Sequence, residues 1–293
     1  MMENFQIAAG QFPWIFGVFF FALGACAGSF MNVCIYRIPA EKSVVRPRSQ
    51  CRCGKPIAWY DNIPIASWFI LRGRARCCGE RFSFRYAAVE IMTACAYLYL
   101  WSFFPAAEAL AWMLFVSLII VVSFIDIDTM ELPDMLTIGG MVAGVAVSML
   151  VPEIHFDANP AEPQVFSALK AFIVSVSGVA VGSGILYWLR LLAECFLKRE
   201  AMGEGDVVLI GCIGAFCGWQ GAVFSIFGGS FIGALVMVPA MLISKLLFRG
   251  RGLRAEIPFG PWLGMGAVAY ALFLRDFVDS YFAGLAGVFF GGL

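Results

Sequence analysis

Long apolar runs separated by short polar stretches set the rhythm of the chain. Eight runs are long enough, or nearly so, to cross about 30 Å of hydrocarbon. They cover residues 13–35, 86–104, 110–125, 135–151, 169–192, 207–217, 222–246 and 258–274. The sixth is short unless its Gly-rich ends are counted. The apolar tail 281–293 is shorter than a span and reads as packed against the bundle or interfacial. This pattern predicts an all-α polytopic membrane protein of about eight transmembrane helices. One polar stretch, 37–85, interrupts it. The expected division is therefore a first transmembrane helix (1–36), a cysteine-containing loop domain (37–85) and a transmembrane bundle (86–293).

Composition sharpens the picture. The chain is 61% hydrophobic and 14% charged, with a mean hydropathy of +0.85. Soluble domains are nearer a quarter charged, so this much apolar surface needs a bilayer as solvent. Net charge is zero and says nothing of partners, but its distribution does. Eleven of the 20 Lys and Arg residues lie between Arg37 and Arg85. Arg190, Lys198 and Arg199 follow the fifth run, and Lys245, Arg249, Arg251 and Arg254 follow the seventh. With alternating topology, only Lys170 and Arg275 fall on the opposite side. The positive-inside rule places the basic side in the cytoplasm and both termini outside. The outer loop around Glu153, Asp157 and Glu162 carries no base, in agreement. The first run lacks the basic flank of a signal peptide and is too long for one. Gly24, Gly28 and Ser29 give it a small-residue face suited to helix packing, with Arg37 as its cytoplasmic stop.

Six of the ten cysteines (Cys26, Cys34, Cys95, Cys195, Cys212 and Cys217) lie in or beside apolar runs and read as buried small hydrophobes. The other four cluster in the loop, as Cys51-Arg52-Cys53-Gly54 and Cys77-Cys78-Gly79. Cytoplasmic thiols stay reduced, so a group of four reads as a structural zinc site or as free thiols. Glycine after a ligand cysteine permits the tight turn of a zinc knuckle, which makes Cys53 and Cys78 the safest ligands. Adjacent cysteines are expected to reach one ion together only with difficulty. A loop of some 49 residues is too small for a robust core, so a metal staple is physically sensible.

Two acids stand at the rims of apolar runs. Asp126 opens Asp126-Ile-Asp128-Thr-Met-Glu131-Leu-Pro133-Asp134, and Asp206 closes Gly203-Glu204-Gly205-Asp206. Ionisable groups at membrane depth are costly and mark function. The charge count puts both at similar depth on the cytoplasmic side. Two roles fit Asp206, the N-cap of a helix and a catalytic carboxyl. For Asp128, Glu131 and Asp134 a solvated interhelical turn is the competing reading. Two carboxyls in one low-dielectric site share a proton, which supplies a general acid and a general base together. The single histidine, His155, falls in the outer loop and reads as a surface residue, so no Ser-His-Asp arrangement is available.

Gly203-Glu204-Gly205-Asp206 fits the G-x-G-D signature of intramembrane aspartyl proteases. Gly28-Ser29-Phe30-Met31-Asn32-Val33 with Tyr36-Arg37-Ile38-Pro39 resembles the amino-terminal hallmark of type IV prepilin leader peptidases. So do Arg46-Pro47-Arg48-Ser49, Asp61-Asn62-Ile63-Pro64, Leu71-Arg72-Gly73-Arg74, Arg85-Tyr86 with Val89-Glu90, and Pro258-Phe259-Gly260-Pro261. The resemblance runs from about residue 20 to 275. It implies a bifunctional enzyme that cleaves the leaders of type IV prepilins and pilin-like secretion subunits, then N-methylates the new terminus with S-adenosylmethionine. It implies catalytic aspartates at Asp126, with Asp128 in reserve, and at Asp206, supported by Gly203, Gly205, Pro133 and Asp134. Metal ligands fall on Cys51, Cys53, Cys77 and Cys78. The implied setting is the bacterial inner membrane, with prepilin or pseudopilin precursors and membrane lipid as partners and no nucleic acid. The chain departs from the family in three places: Val208 stands where Lys is usual, the first cysteine pair is contracted, and Ala75 occupies the third cysteine's place. Two rival readings are a proton-coupled transporter using both acids as a relay, and a non-catalytic pilus assembly scaffold.

Overall fold

A computed structural model of the chain describes residues 13–51, 53–156, 162–198, 202–247 and 258–290. Arg52, Asp157, Arg199, Arg249, Arg251, Arg254 and residues 291–293 of the tail lie outside the described residues. The structure is helical. In chain order the helices are α1 (Pro13–Arg37), α2 (Ala66–Ile70), α3 (Arg85–Phe103), α4 (Ala106–Thr129), α5 (Asp134–Leu150), α6 (Gln164–Leu197), α7 (Glu204–Leu247), α8 (Gly260–Ala269) and α9 (Arg275–Phe290). A π-helical turn, Tyr270–Leu274, joins the last two. Among the described residues the only β pairing is two isolated bridges, Gln50 with Pro56 and Arg74 with Arg81. Among the described residues, four helices are long and apolar enough to cross a membrane: Trp14–Arg37, Ala106–Thr129, Gln164–Leu197 and Glu204–Ile243; Asp134–Leu150 is a shorter apolar helix.

The chain forms two compact units, dividing between Val121 and Val122 inside α4. In the first, α1 packs on α3. In the second, α7 is the central element, contacted by α5, α6 and α8. α7 is not one straight rod. Gly218 has φ 68 and ψ −176, a region essentially restricted to glycine. A Cβ on Gly182 of α6 would meet both Ala222 Cβ, at 2.9 Å, and the Ile210 carbonyl oxygen, at 3.2 Å. Residues 12 apart in a continuous helix are separated by about 18 Å. The chain therefore folds back at Gly218, and the arms 204–217 and 219–247 correspond to the sixth and seventh apolar runs.

Polar groups near this reversal are satisfied by neighbouring helices, as a low-dielectric interior requires. The Ala215 carbonyl accepts from Ser148 at 3.0 Å and from Ser175 at 2.8 Å. His155 Nε2 lies 2.8 Å from Ser148 Oγ. The expectation of a surface histidine is thus corrected. The 3₁₀ turn Pro152–Ile154 folds the ring back over the end of α5, into a polar cavity of about 100 Å³ that also involves Gln220, Tyr270, Arg275 and Asp279. Burial, reinforced by the Arg275 charge, pushes the imidazole down to about 4. The cysteine expectation also needs correction. Cys34, Cys212 and Cys217 are buried, but Cys26, Cys95 and Cys195 are exposed on helix surfaces. An apolar helix face turned to lipid needs no protein cover.

Candidate functional site

Asp126 occupies the last turn of α4, where the Met130 N–H closes on its carbonyl at 2.9 Å. Met130 then turns left-handed, with φ 57, and ends the helix. Pro133, which cannot donate to a preceding turn, takes the N-cap position of α5. Asp126 is only 5% exposed. Its Oδ2 accepts the Gly260 N–H at 2.9 Å. Gly260 is the first residue of α8, and its N–H is one of the donors that a helix start leaves without an internal partner. A Cβ at residue 260 would stand 2.7 Å from that carboxylate oxygen, so only glycine permits the approach.

Asp206 lies in the first turn of α7 and is 7% exposed. The N-cap reading is corrected in register. Asp206 is the third helical residue, and its carboxyl reaches back to accept the N–H of Gly203, just before the helix. That is the geometry of the back-reaching half of a capping box. The second glycine of the motif has a different task. A Cβ on Gly205 would lie 2.7 Å from Leu132 Cβ, so the 130–133 turn after Asp126 sits directly on it. Gly260 meets Leu209, three residues beyond Asp206, on its other side. Asp126 and Asp206 are thus brought together, close enough to repel one another when both are ionised. Each carboxyl also meets a helix N-terminus, Asp126 that of α8 and Asp206 that of α7 itself, whose partial positive charge offsets part of the cost of placing acids here.

The reserve residue, Asp128, is exposed, as are Glu131 and Asp134. They form an acidic rim at the same end of α4 and α5. Glu204 is exposed too, but Arg190 holds it at 3.1 Å while also holding Glu194 at 2.8 Å. Sequence reasoning noted Gly260 only as part of a motif and missed its contact with Asp126. The signal available was Pro261 immediately after it, a mark of a helix start. Nothing in the sequence pointed to Leu132.

The four loop cysteines form a second constellation within the first unit. Two tight turns carry them. The Cys51 N–H donates to the Lys55 carbonyl and the Gly54 N–H to the Cys51 carbonyl; the Ala75 N–H donates to the Glu80 carbonyl and the Gly79 N–H to the Ala75 carbonyl. Gly54 and Gly79 adopt φ 83 and φ 72, the left-handed geometry anticipated for a glycine after a ligand cysteine. The sulfurs of Cys51 and Cys78 are 3.5 Å apart, those of Cys53 and Cys77 3.4 Å, and those of Cys77 and Cys78 3.9 Å. All four lie within 4.8 Å of one another. Tetrahedral zinc with Zn–S bonds of about 2.3 Å needs sulfurs about 3.8 Å apart, so this donor set fits that ion. The adjacent pair Cys77 and Cys78 does reach a common centre, against expectation, because the turn closed by Gly79 directs both side chains to it. The Cys53 N–H and the neighbouring thiols draw Cys51 down to about 7. Hydrogen bonds shared with Cys51 and Cys53 push Cys77 up to about 12.

The profile of the bacterial peptidase A24 N-terminal domain matches residues 22–104, and that of the type IV leader peptidase family matches residues 113–238. A protein of Myxococcus xanthus is 37% identical over 239 residues, covering 80% of this chain and 65% of that protein. A Klebsiella pneumoniae protein is 34% identical over 75% of this chain and 94% of its own length. One from Pectobacterium carotovorum is 33% identical over 91% and 96%. All three are named prepilin leader peptidase/N-methyltransferase. The chain thus spans about two thirds of the Myxococcus protein and nearly all of the other two. No solved structure matches.

Proposed function

The chain belongs to the type IV leader peptidase family, and on that premise we propose that it is a membrane aspartic endopeptidase. Its substrates are the precursors of type IV pilins and pilin-like secretion subunits, and it N-methylates the terminus that cleavage exposes. The observation that carries the peptidase reading is the pair Asp126 and Asp206, two buried carboxyls in one compact unit, each accepting a backbone N–H at a helix start. Burial favours Asp126 over the exposed Asp128 as the partner of Asp206.

Two like charges in one buried site favour a state with one carboxyl ionised and one protonated. The ionised carboxyl takes a proton from a water as the water oxygen bonds to the scissile carbonyl carbon. The protonated carboxyl hydrogen-bonds the developing oxyanion. The tetrahedral intermediate then collapses, the C–N bond breaks, and the leaving nitrogen takes up a proton from the pair. The rim of Asp128, Glu131 and Asp134 attracts the basic residues of a leader, a surface effect that is modest and weakened by salt.

In functional terms the chain consists of a first transmembrane helix (1–36), the cysteine loop (37–85) and the peptidase bundle (86–293). It crosses the bacterial inner membrane about eight times, in contact with lipid, with the loop and both acids cytoplasmic and both termini outside. The charge distribution and the reversal at Gly218 support this count. Cys51, Cys53, Cys77 and Cys78 hold a structural zinc, which ties the two loop turns together. S-adenosylmethionine, when bound, supplies the methyl group for the new amine. The 100 Å³ cavity beside His155 is smaller than the pockets of about 300 Å³ and upward that hold such ligands, and is not its seat. Neither rival reading, transporter or scaffold, is supported by the relatives. The test is mass spectrometry of a co-expressed prepilin, which reports cleavage and methylation together. Intact leader with Asp126→Asn and with Asp206→Asn is expected; continued processing by both variants in detergent overturns the assignment.

A further inference from the structure

Glu90 of α3 is a half-buried carboxyl that the cleavage chemistry leaves unused. Its Oε2 accepts the Ile65 N–H at 2.6 Å, and the Ser29 side chain from α1 also bonds to it. One turn closer to the loop, Asn32 of α1 donates to the Tyr86 carbonyl at 3.0 Å. Several of the amino-terminal motifs thus meet around one carboxylate, where α1 and α3 pack.

What Glu90 holds is strained. Ile65 has φ 64 and ψ −58, and the Ala66 N–H donates across it to the Pro64 carbonyl at 2.6 Å. This is the positive-φ form of the γ-turn, rare for any residue and an outlier for a β-branched one. Such a conformation persists only where the surroundings over-determine it. Here the Ser67 N–H donates to the Ile63 carbonyl at 3.0 Å, and Glu90 takes the Ile65 N–H from the other side. The segment also carries Asp61, which accepts from Arg76 Nε at 3.0 Å and from Nη2 at 2.9 Å. Arg76 lies over the Tyr60 ring, 5.6 Å from its centre, and directly precedes Cys77.

We infer that Glu90 is a positioning residue: it clamps the strained Ile65 turn onto the α1–α3 pair and, through Asp61 and Arg76, steadies the Cys77–Cys78 turn against Cys51 and Cys53. A side-chain oxygen aimed at one backbone N–H is the economical way to hold a turn that the chain resists. The coupling runs in both directions, so an ion in the cysteine cluster also quiets the Ile65 turn.

The test is hydrogen–deuterium exchange of the full chain in detergent, with release of zinc to a chelator as a second readout. Glu90→Ala is expected to speed exchange over residues 58–76 by about tenfold or more. Unchanged exchange in α5 shows that the rest of the chain is folded. Glu90→Gln keeps a side-chain carbonyl for the Ile65 N–H and should stay within about twofold of the parent. Adding Ile65→Gly to Glu90→Ala removes the strain, since glycine accepts φ 64 freely, and should restore at least half of the lost protection. Zinc release should follow the same order. Unaltered exchange in Glu90→Ala, or no restoration by Ile65→Gly, overturns the proposal. A parent chain that binds no zinc defeats the metal reading alone, and the exchange arm still decides the role of Glu90.

Discussion

The carboxyl pair and the cysteine cluster both crowd ionisable groups, and they manage the crowding in opposite ways. The acids are buried, and each receives a single backbone N–H from a helix start. Two groups of this kind relieve their repulsion by keeping one proton between them, which is a reactive arrangement. The cysteines are largely exposed and lie on two turns of a short loop. Four thiols at tetrahedral spacing offer instead the donor set of a divalent cation, which would be a closed and structural arrangement. Their glycines differ accordingly. Gly54 and Gly79 have nothing within 4 Å of a would-be Cβ and serve through their left-handed φ, whereas Gly205 and Gly260 are needed because Leu132 and Asp126 press against them.

The comparison breaks most sharply at the acids. Asp126→Asn and Asp206→Asn should each lower prepilin cleavage by roughly 10²–10⁴-fold while leaving zinc content unchanged; a parallel loss of metal would mean that the variants are misfolded. Next in size is Gly260→Ala. Its methyl group would sit 2.7 Å from Asp126 Oδ2 and must displace that carboxyl, so cleavage should fall by about 10²-fold without loss of membrane insertion, as followed by a single-turnover assay. On the other side, Cys53→Ser or Cys78→Ser should remove most of the bound zinc, measured by elemental analysis, with cleavage reduced far less than by either aspartate change. A cleavage defect equal to that of Asp206→Asn would erase the distinction between a structural and a reactive site.

The smallest effect lies outside both sites and separates loss of fold from loss of function. His155 titrates near 6.5 when unfolded but only at about 4 when folded. Protonation therefore favours the unfolded chain as pH falls between these values. Stability should be complete above pH 6.5, decline by up to roughly 3 kcal/mol toward pH 4, and level off below it. Thermal unfolding in detergent across that range measures the slope, and His155→Gln should flatten it.

Much of this was readable from residue order. Apolar runs of spanning length predict helices because backbone polar groups in lipid must be satisfied within each segment. The eight runs coincide with helices or helix arms to within a few residues at their ends, the eighth continuing from α8 into the π-helical turn, and the reversal at Gly218 accounts for the short sixth run. The two acids and the four cysteines stood out because their chemistry is out of place in such surroundings. Other features were not readable. His155 looked exposed because its cover, Ser148 and the polar groups around Arg275, comes from different helices. Cys77 and Cys78 looked awkward as a pair because only the turn closed by Gly79 shows where both sulfurs go.

By itself the sequence determined the helical membrane character, the approximate extent of the long apolar helices, the family resemblance and the residue types able to do chemistry. These depend on local composition and periodicity, which a linear string carries in full. Only the tertiary structure decided that Gly260, 134 residues beyond Asp126, donates to its carboxylate, that Leu132 seats on Gly205, and that Glu90 restrains Ile65. Each of these is a single contact between distant segments. Its energy depends on a few tenths of an ångström in the packing of whole helices, and no local pattern encodes that distance.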